Sequence, residues 1–133
     1  MEPTRVLPIV SVFSLIGVEY GGYALLSFLT SNGGLGELRE RFFRAGHAHA
    51  GVLLVLSLVY FIYLDRTDYS KGVQWLAGGL LLVGILSQSG GFFLHLWQGQ
   101  PGQRSVGTLM TAAGAVLIAA ALIALAVGLI RAR

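Results

Sequence analysis

Two of the chain's three histidines lie in the stretch Arg44-Ala45-Gly46-His47-Ala48-His49-Ala50-Gly51, at the head of an apolar run. From Val52 to Leu64 there is no charged residue. An imidazole a few residues inside a membrane-spanning segment is expensive to place, and by default it marks a functional site. Imidazole ligates zinc, copper and iron alike, and it also moves protons near neutral pH. The spacing limits the chemistry. Residues two apart on a helix diverge by about 200°, so His47 and His49 cannot converge on one centre. One is expected to ligate while the other faces a neighbouring helix, a subunit or a loop. The pairing of two ligands at i and i+4 on one helix face does not apply. Gly46 and Gly51 bare the backbone beside the histidines, leaving room for a flat group or another helix.

The elements that must position this pair follow from composition. The chain of 133 residues is 55% hydrophobic and 11% charged, where soluble domains carry about a quarter charged residues. That length supports one domain of about four membrane helices with short loops. The net charge of +3 and the pI near 9.7 come from scattered residues. They form no basic stripe of the kind nucleic acid requires. Cysteine is absent, which removes disulfides, thiolate zinc sites, iron–sulfur clusters and covalent haem attachment. Any metal or haem must rely on His, Tyr, Glu or Met.

The spans are expected at about 8–30, 42–64, 72–97 and 106–130. The first follows Arg5 and is too long for a signal-peptide core, so it reads as a retained span. The turn Ser31-Asn32-Gly33-Gly34 and a charged loop with Glu37, Arg39, Glu40 and Arg41 follow it. Asp65-Arg66-Thr67-Asp68 closes span two, and Gln98-Gly99-Gln100-Pro101-Gly102 ends span three. Arg131 and Arg133 anchor the last span. Both termini then share one side. Arg5, Arg66, Lys71, Arg131 and Arg133 lie there, against Arg39, Arg41, Arg44 and Arg104 opposite, a narrow majority favouring cytoplasmic termini. The expected location is a bacterial inner or plasma membrane. Small residues at four-residue spacing mark helix-packing stripes: Gly17 and Gly21, Ser87 and Gly91, and Ala120, Ala124 and Gly128. Four helices enclose little volume, so a large cofactor would fit better between protomers, and a homo-oligomer is expected.

Depth follows from a rise of about 1.5 Å per residue. His47 and His49 lie about 8–11 Å inward of the start of span two. Span three ends on that same side, placing His95 near the interface and Gln88 about 15 Å below it. Glu19 lies near the level of Gln88. Glu19, Tyr20, Tyr23, His47, His49, Ser87, Gln88, Ser89 and His95 thus occupy the middle or one half of the bilayer, and the other half carries few polar side chains. This asymmetry points to a site. His49, deeper and between alanines, is the expected ligand. His47 has a structural alternative, snorkelling or bonding a carbonyl, and His95 beside Trp97 reads as interfacial. Glu19 and Gln88 are the candidate catalytic groups, with a structural clasp from Glu19 to Gln88 or Tyr23 as the alternative.

Two stretches carry a family resemblance. Arg44-Ala45-Gly46-His47-Ala48-His49-Ala50-Gly51 resembles the Arg-Ala-His-x-Gly at the head of span two in the styrene oxide isomerases and, more distantly, the hydroxylaminobenzene mutases. Leu86-Ser87-Gln88-Ser89-Gly90-Gly91-Phe92-Phe93 resembles the isomerases' Asn-x-Gly-Phe-Tyr-Phe-Phe stretch in span three. These are small four-helix membrane proteins. The resemblance implies b-type haem between protomers, a trimer, and His49 as axial ligand. Arg41 and Arg44 would face the propionates, with Phe92 and His47 nearby. In those isomerases ferric iron acts as a Lewis acid on an epoxide, giving an aldehyde without net redox. A dry pocket protects the cationic intermediate from water. This chain departs from the pattern at Val55, where both families carry asparagine, and at Phe92, where the isomerases carry tyrosine. Gln88 stands at their other asparagine and keeps an amide.

The reading is therefore an all-α, four-transmembrane-helix bundle, homo-oligomeric, holding haem b at His49 and acting on a small apolar substrate. The alternatives are a non-haem metal or proton-handling site built from Glu19, His47, His49 and His95, or a noncatalytic subunit that docks a partner through its small-residue stripes.

Overall fold

Backbone inside hydrocarbon must satisfy its own N–H and C=O groups, so each apolar run closes into a helix. The computed structural model describes residues 1–31 and 34–132, with four helices and no strand among them. They are α1 (Pro3–Thr30), α2 (Glu37–Leu64), α3 (Lys71–Gln98) and α4 (Val106–Arg131). All four are long and apolar enough to cross a membrane. The expected all-α four-span architecture holds, and the chain is an integral membrane protein. Asn32 and Gly33 of the expected first turn, and the expected anchor Arg133, lie outside the described residues.

The helices outrun their apolar spans. α2 has 28 residues, about 42 Å at about 1.5 Å per residue, against a hydrocarbon core of about 30 Å. It begins at Glu37, inside the stretch expected to be a loop. The reason is local: Glu37 pairs with Arg41 and Glu40 with Arg44, one turn apart. Both acids sit in the first turn, where the helix dipole favours negative charge. α4 starts on a capping box, in which the Ser105 hydroxyl accepts from the Thr108 N–H and Thr108 reciprocates to the Ser105 N–H.

α3 is the central helix, touching the other three, while α1 is peripheral. Of the most apolar window, 39% is buried in α3 and only 6% in α1. The closest seam joins α3 and α4. A Cβ on Gly91 would fall 2.5 Å from the Gly107 carbonyl oxygen, and one on Gly114 would fall 2.7 Å from that of Gly84. No side chain fits there, so backbones meet directly, the interaction that stands in for hydrophobic burial inside lipid. The seam on α4 holds Gly107 and Gly114, seven residues apart; the fully buried Ala121 continues that register, and Gly128 packs against Thr67 and Tyr69 ahead of α3. Of the expected α4 stripe, Ala124 packs against the core and Gly128 is buried, while Ala120 is exposed. α4 is rich in small residues at several spacings, and its contact with α3 uses Gly107 and Gly114, seven residues apart. A Cβ on Gly17 meets nothing within 4 Å, so that position of α1 packs against no helix of the same protomer.

The end of the bundle holding the α2–α3 turn is more polar inside than its sequence suggests. Ser57 donates to Ser11 Oγ at 2.7 Å, and Ser11 donates to the Leu7 carbonyl at 3.4 Å. Tyr60 donates to the Ala121 carbonyl at 3.0 Å and Tyr69 to that of Ala124 at 2.7 Å. Thr4 donates to Asp65 at 2.8 Å, and Lys71 pairs with Glu2. These bonds tie α1, α2 and α4 together around Leu7, Phe61, Leu64, Leu81 and Ile85.

Candidate functional site at the loop end of the bundle

At the opposite end, aromatic rings hold α1, α2 and α3 in register. Phe43 meets Phe93 edge-on with centroids 5.3 Å apart and Phe28 at 6.4 Å, while Phe42 lies 6.2 Å from Phe92. Gly46 lets α3 close in, because a Cβ there would fall 3.0 Å from atoms of Phe92 and Phe93. The sequence reading gave Phe42, Phe43 and Phe93 no role; the one-turn spacing of Phe42 and Phe43 from Gly46 and His47 was the available signal for the first two.

His47 and His49 leave α2 toward different neighbours, as their spacing requires. His47 lies over α1, where a Cβ on Gly21 or Gly22 would approach its ring to 3.4 or 3.3 Å. Its ring forms no hydrogen bond among the described residues, and it lines an apolar cleft between α1, α2 and α3. His49 instead stacks near Phe92, centroids 4.8 Å apart and planes tilted by 33°. Its Nδ1 lies 2.8 Å from the Ala45 carbonyl oxygen. A carbonyl only accepts, so this bond requires Nδ1 to carry the proton and leaves Nε2 with a free lone pair. A shallow apolar recess bounded by Ala48, Val52 and Leu53 opens beside the ring.

His95 is buried inside the protein, one turn from the end of α3. It is 4% exposed, lies under the Phe42 ring at 4.3 Å, and its Nδ1 shares a 2.7 Å hydrogen bond with Ser105 Oγ. Gly99 leaves no room for a side chain against the imidazole. His95 therefore clasps the α3–α4 turn to the cap of α4.

Glu19 is exposed on α1 and has no hydrogen-bonding partner among the described residues, so the expected clasp to Gln88 or Tyr23 does not form. Its neighbours Tyr20 and Tyr23 are 73% and 68% exposed. Gln88 is half-buried on α3, one turn from Phe92, and its backbone carbonyl accepts from Thr111 Oγ1 at 3.3 Å. Val55 is exposed on α2. Arg41 and Arg44 stand above His49, each engaged with an acid on its own helix. Among the described residues no three His, Asp or Glu side chains gather at one point. Glu19, His47, His49 and His95 are thus dispersed over separate surroundings and form no shared metal-binding cluster.

The donor set bears on haem in one respect. A metal-bound histidine donates its other ring N–H to a carbonyl, carboxylate or water, which fixes the tautomer and the ring. His49 has that arrangement, and its free Nε2 and the small Ala48 beside it fit a flat macrocycle approaching from outside the protomer. His47 and His95 lack it. Comparison with family models, with curated proteins and with solved structures finds no match.

Proposed function

We propose that this integral membrane protein binds haem b through His49 and acts on a small apolar substrate drawn from the bilayer, as the styrene oxide isomerase-like reading of its sequence implies. The observation that carries the reading is the His49–Ala45 hydrogen bond, which holds the imidazole with Nε2 available as a ligand. Ferric haem, when bound, supplies a Lewis acid for an epoxide-type oxygen.

The chain's own groups then have distinct tasks. The Ala45 carbonyl orients the ligand ring and raises its basicity. Phe92 covers one side of that ring and helps keep water away. Gln88, one turn deeper on α3, supplies the amide that orients a polar substrate atom. Arg41 and Arg44 provide cations for the propionates by exchanging partners with Glu37 and Glu40. Phe92 and Val55 bring no hydroxyl or amide, so substrate orientation rests on fewer polar contacts than in the isomerases.

The recess beside His49 is shallow, and the other wall of a haem site comes from a second protomer in this reading. The exposure of Glu19 supports assembly independently. An acidic side chain near the bilayer centre costs about 2.5–3.5 kcal/mol on insertion scales, and such groups normally face a protein partner. A homo-oligomer, a trimer by the resemblance, would cover α1 there. The reading places the protein in a bacterial plasma membrane with cytoplasmic termini. The test is an absorption spectrum of the detergent-solubilised protein with its haem content. A Soret band with near-stoichiometric haem, lost in His49→Ala, is the expected result. Colourless protein after expression with ample haem supply would end the proposal.

A further inference from the structure

α1 presents two opposite faces to the bilayer, and neither is covered within the protomer. Gly17 and Gly21 lie on the first, where α1, α2 and α3 bound a half-open apolar groove of about 420 Å³. Leu86, 70% exposed, stands on its α3 wall, and α2 contributes His47. Glu19 is two residues from each glycine, so helix geometry turns it about 160–200° from them, onto the second face. Val12, Ile16 and Tyr23 share that face at helical spacing, and all are exposed.

Glu19 and His47 are each without a hydrogen bond among the described residues, and their chemistry is complementary. Whichever of the carboxyl and the imidazole holds the proton, it donates to the other. They also lie at nearly one depth. The His47 ring sits against Gly21 and Gly22, whose Cβ positions fall 3.4 and 3.3 Å from its nitrogens. Glu19 precedes those residues by two or three, about 3–4.5 Å along the axis, within the length of its own side chain. An acyl chain would cover either face, but it gives an acid nothing to bond. A second copy brings both halves. Copies share one orientation in the membrane, so rotation about the bilayer normal carries Glu19 of one to the depth of His47 in the next. An apolar cavity of about 150 Å³ holds benzene, so this groove admits two or three side chains such as Ile16.

We propose that the Glu19 face of α1 in one protomer docks in the α1–α2–α3 groove of a second copy, where Glu19 hydrogen-bonds to His47. The contact is head-to-tail. Face and groove are different surfaces, so each protomer offers one and receives the other, and successive contacts close into a ring. This rests on the assembly in the proposed function and names the surface that covers Glu19 there.

The chain contains no cysteine, so introduced thiols report contacts without background. Ile16→Cys marks the α1 face and Leu86→Cys the groove wall. Their depths match, because Leu7 meets Gly78 and each thiol lies eight or nine residues further along its helix. The two variants, carrying tags of different size, are co-expressed and oxidised in native membranes. A covalent heterodimer is expected, with no dimer from either variant alone. Glu19→Leu in the Ile16→Cys chain and His47→Phe in the Leu86→Cys chain should each weaken association about three- to twentyfold, the range of hydrogen bonds inside membranes. The two together should add little more. Gly17→Leu in the Leu86→Cys chain fills the groove from a position open in the protomer, and it should block the heterodimer while helical content stays as in the wild type. Dimers from Ile16→Cys alone would mean that α1 packs on α1, and they overturn the proposal. So does a heterodimer indifferent to Glu19→Leu and His47→Phe, or its absence from protein that still sediments as an oligomer. Protein that sediments as a monomer and forms no heterodimer ends the assembly reading itself, and this docking with it. Haem content enters none of these readouts.

Discussion

The Nδ1–H of His49 points at the Ala45 carbonyl, one helical turn back, across 2.8 Å. That single bond puts the proton on Nδ1 and leaves Nε2 of His49 with a free lone pair. His95, bonded to Ser105 and covered by Phe42, has a structural post instead.

The ligand assignment makes a three-way prediction. His49→Ala should abolish haem binding, whereas His47→Ala and His95→Ala should retain it, measured as haem per chain by the pyridine haemochrome method. Loss in His47→Ala with retention in His49→Ala would move the ligand to the α1 side of the helix.

The α3–α4 seam predicts a contrast between glycines. Gly114→Leu forces a side chain between backbones where a Cβ already lies 2.7 Å from the Gly84 carbonyl oxygen. Overpacking of this kind costs about 1–3 kcal/mol or more, so the melting temperature in detergent should fall by several degrees. Gly17→Ala, placed in open space, should leave it unchanged. Equal effects at the two positions would contradict the close approach.

The cap of α4 can be weighed through His95 and Ser105. Ser105→Ala removes the N-cap acceptor and the partner of the imidazole together, and loss of such a cap costs about 0.5–2 kcal/mol. Once Ser105 is gone, His95→Leu should add less destabilisation than it does alone. Strict additivity in this double-mutant cycle, followed by thermal melts, would mean the two residues act apart.

Tyr60 offers a test at the far end. Tyr60→Phe keeps the ring and deletes the bond to the Ala121 carbonyl. Interhelical hydrogen bonds in membranes average about 0.6 kcal/mol, so a small destabilisation is expected in an unfolding titration, with haem content unaffected. A loss of haem would show that this end governs the site.

Assembly is read through Glu19. Replacing an acid that a neighbouring subunit covers in the proposed assembly should change the association equilibrium, so Glu19→Leu is expected to shift the oligomer distribution in sedimentation. Glu19→Gln, which keeps hydrogen-bonding capacity, should preserve it. The same distribution for all three proteins would leave α1 facing lipid.

The sequence reached furthest where the controlling physics is local. Apolar runs such as 106–130 are long enough to cross the hydrocarbon core, and the wide divergence of His47 and His49 follows from helix geometry alone. Gly46 was legible as a place of close approach, and α3 does close in there through Phe92 and Phe93. Other features were not legible. Ala120 and Ala121 are chemically identical, yet one is exposed and the other fully buried. Ser11 and Ser57 look like isolated hydroxyls until α1 and α2 are brought together.

What the amino acids determined by themselves is depth: each residue's distance along its helix is a fixed rise multiplied by position, and hydrophobic length sets where the helix sits in the membrane. What only the tertiary structure decided is direction. The neighbour each side chain meets depends on how the helices rotate and approach, and glycine seams between α3 and α4 set that contact. Thus His95 became a clasp, Glu19 faced outward, and His47 and Ser89 came to line one cleft, although composition and spacing had placed them all at the middle or in one half of the bilayer.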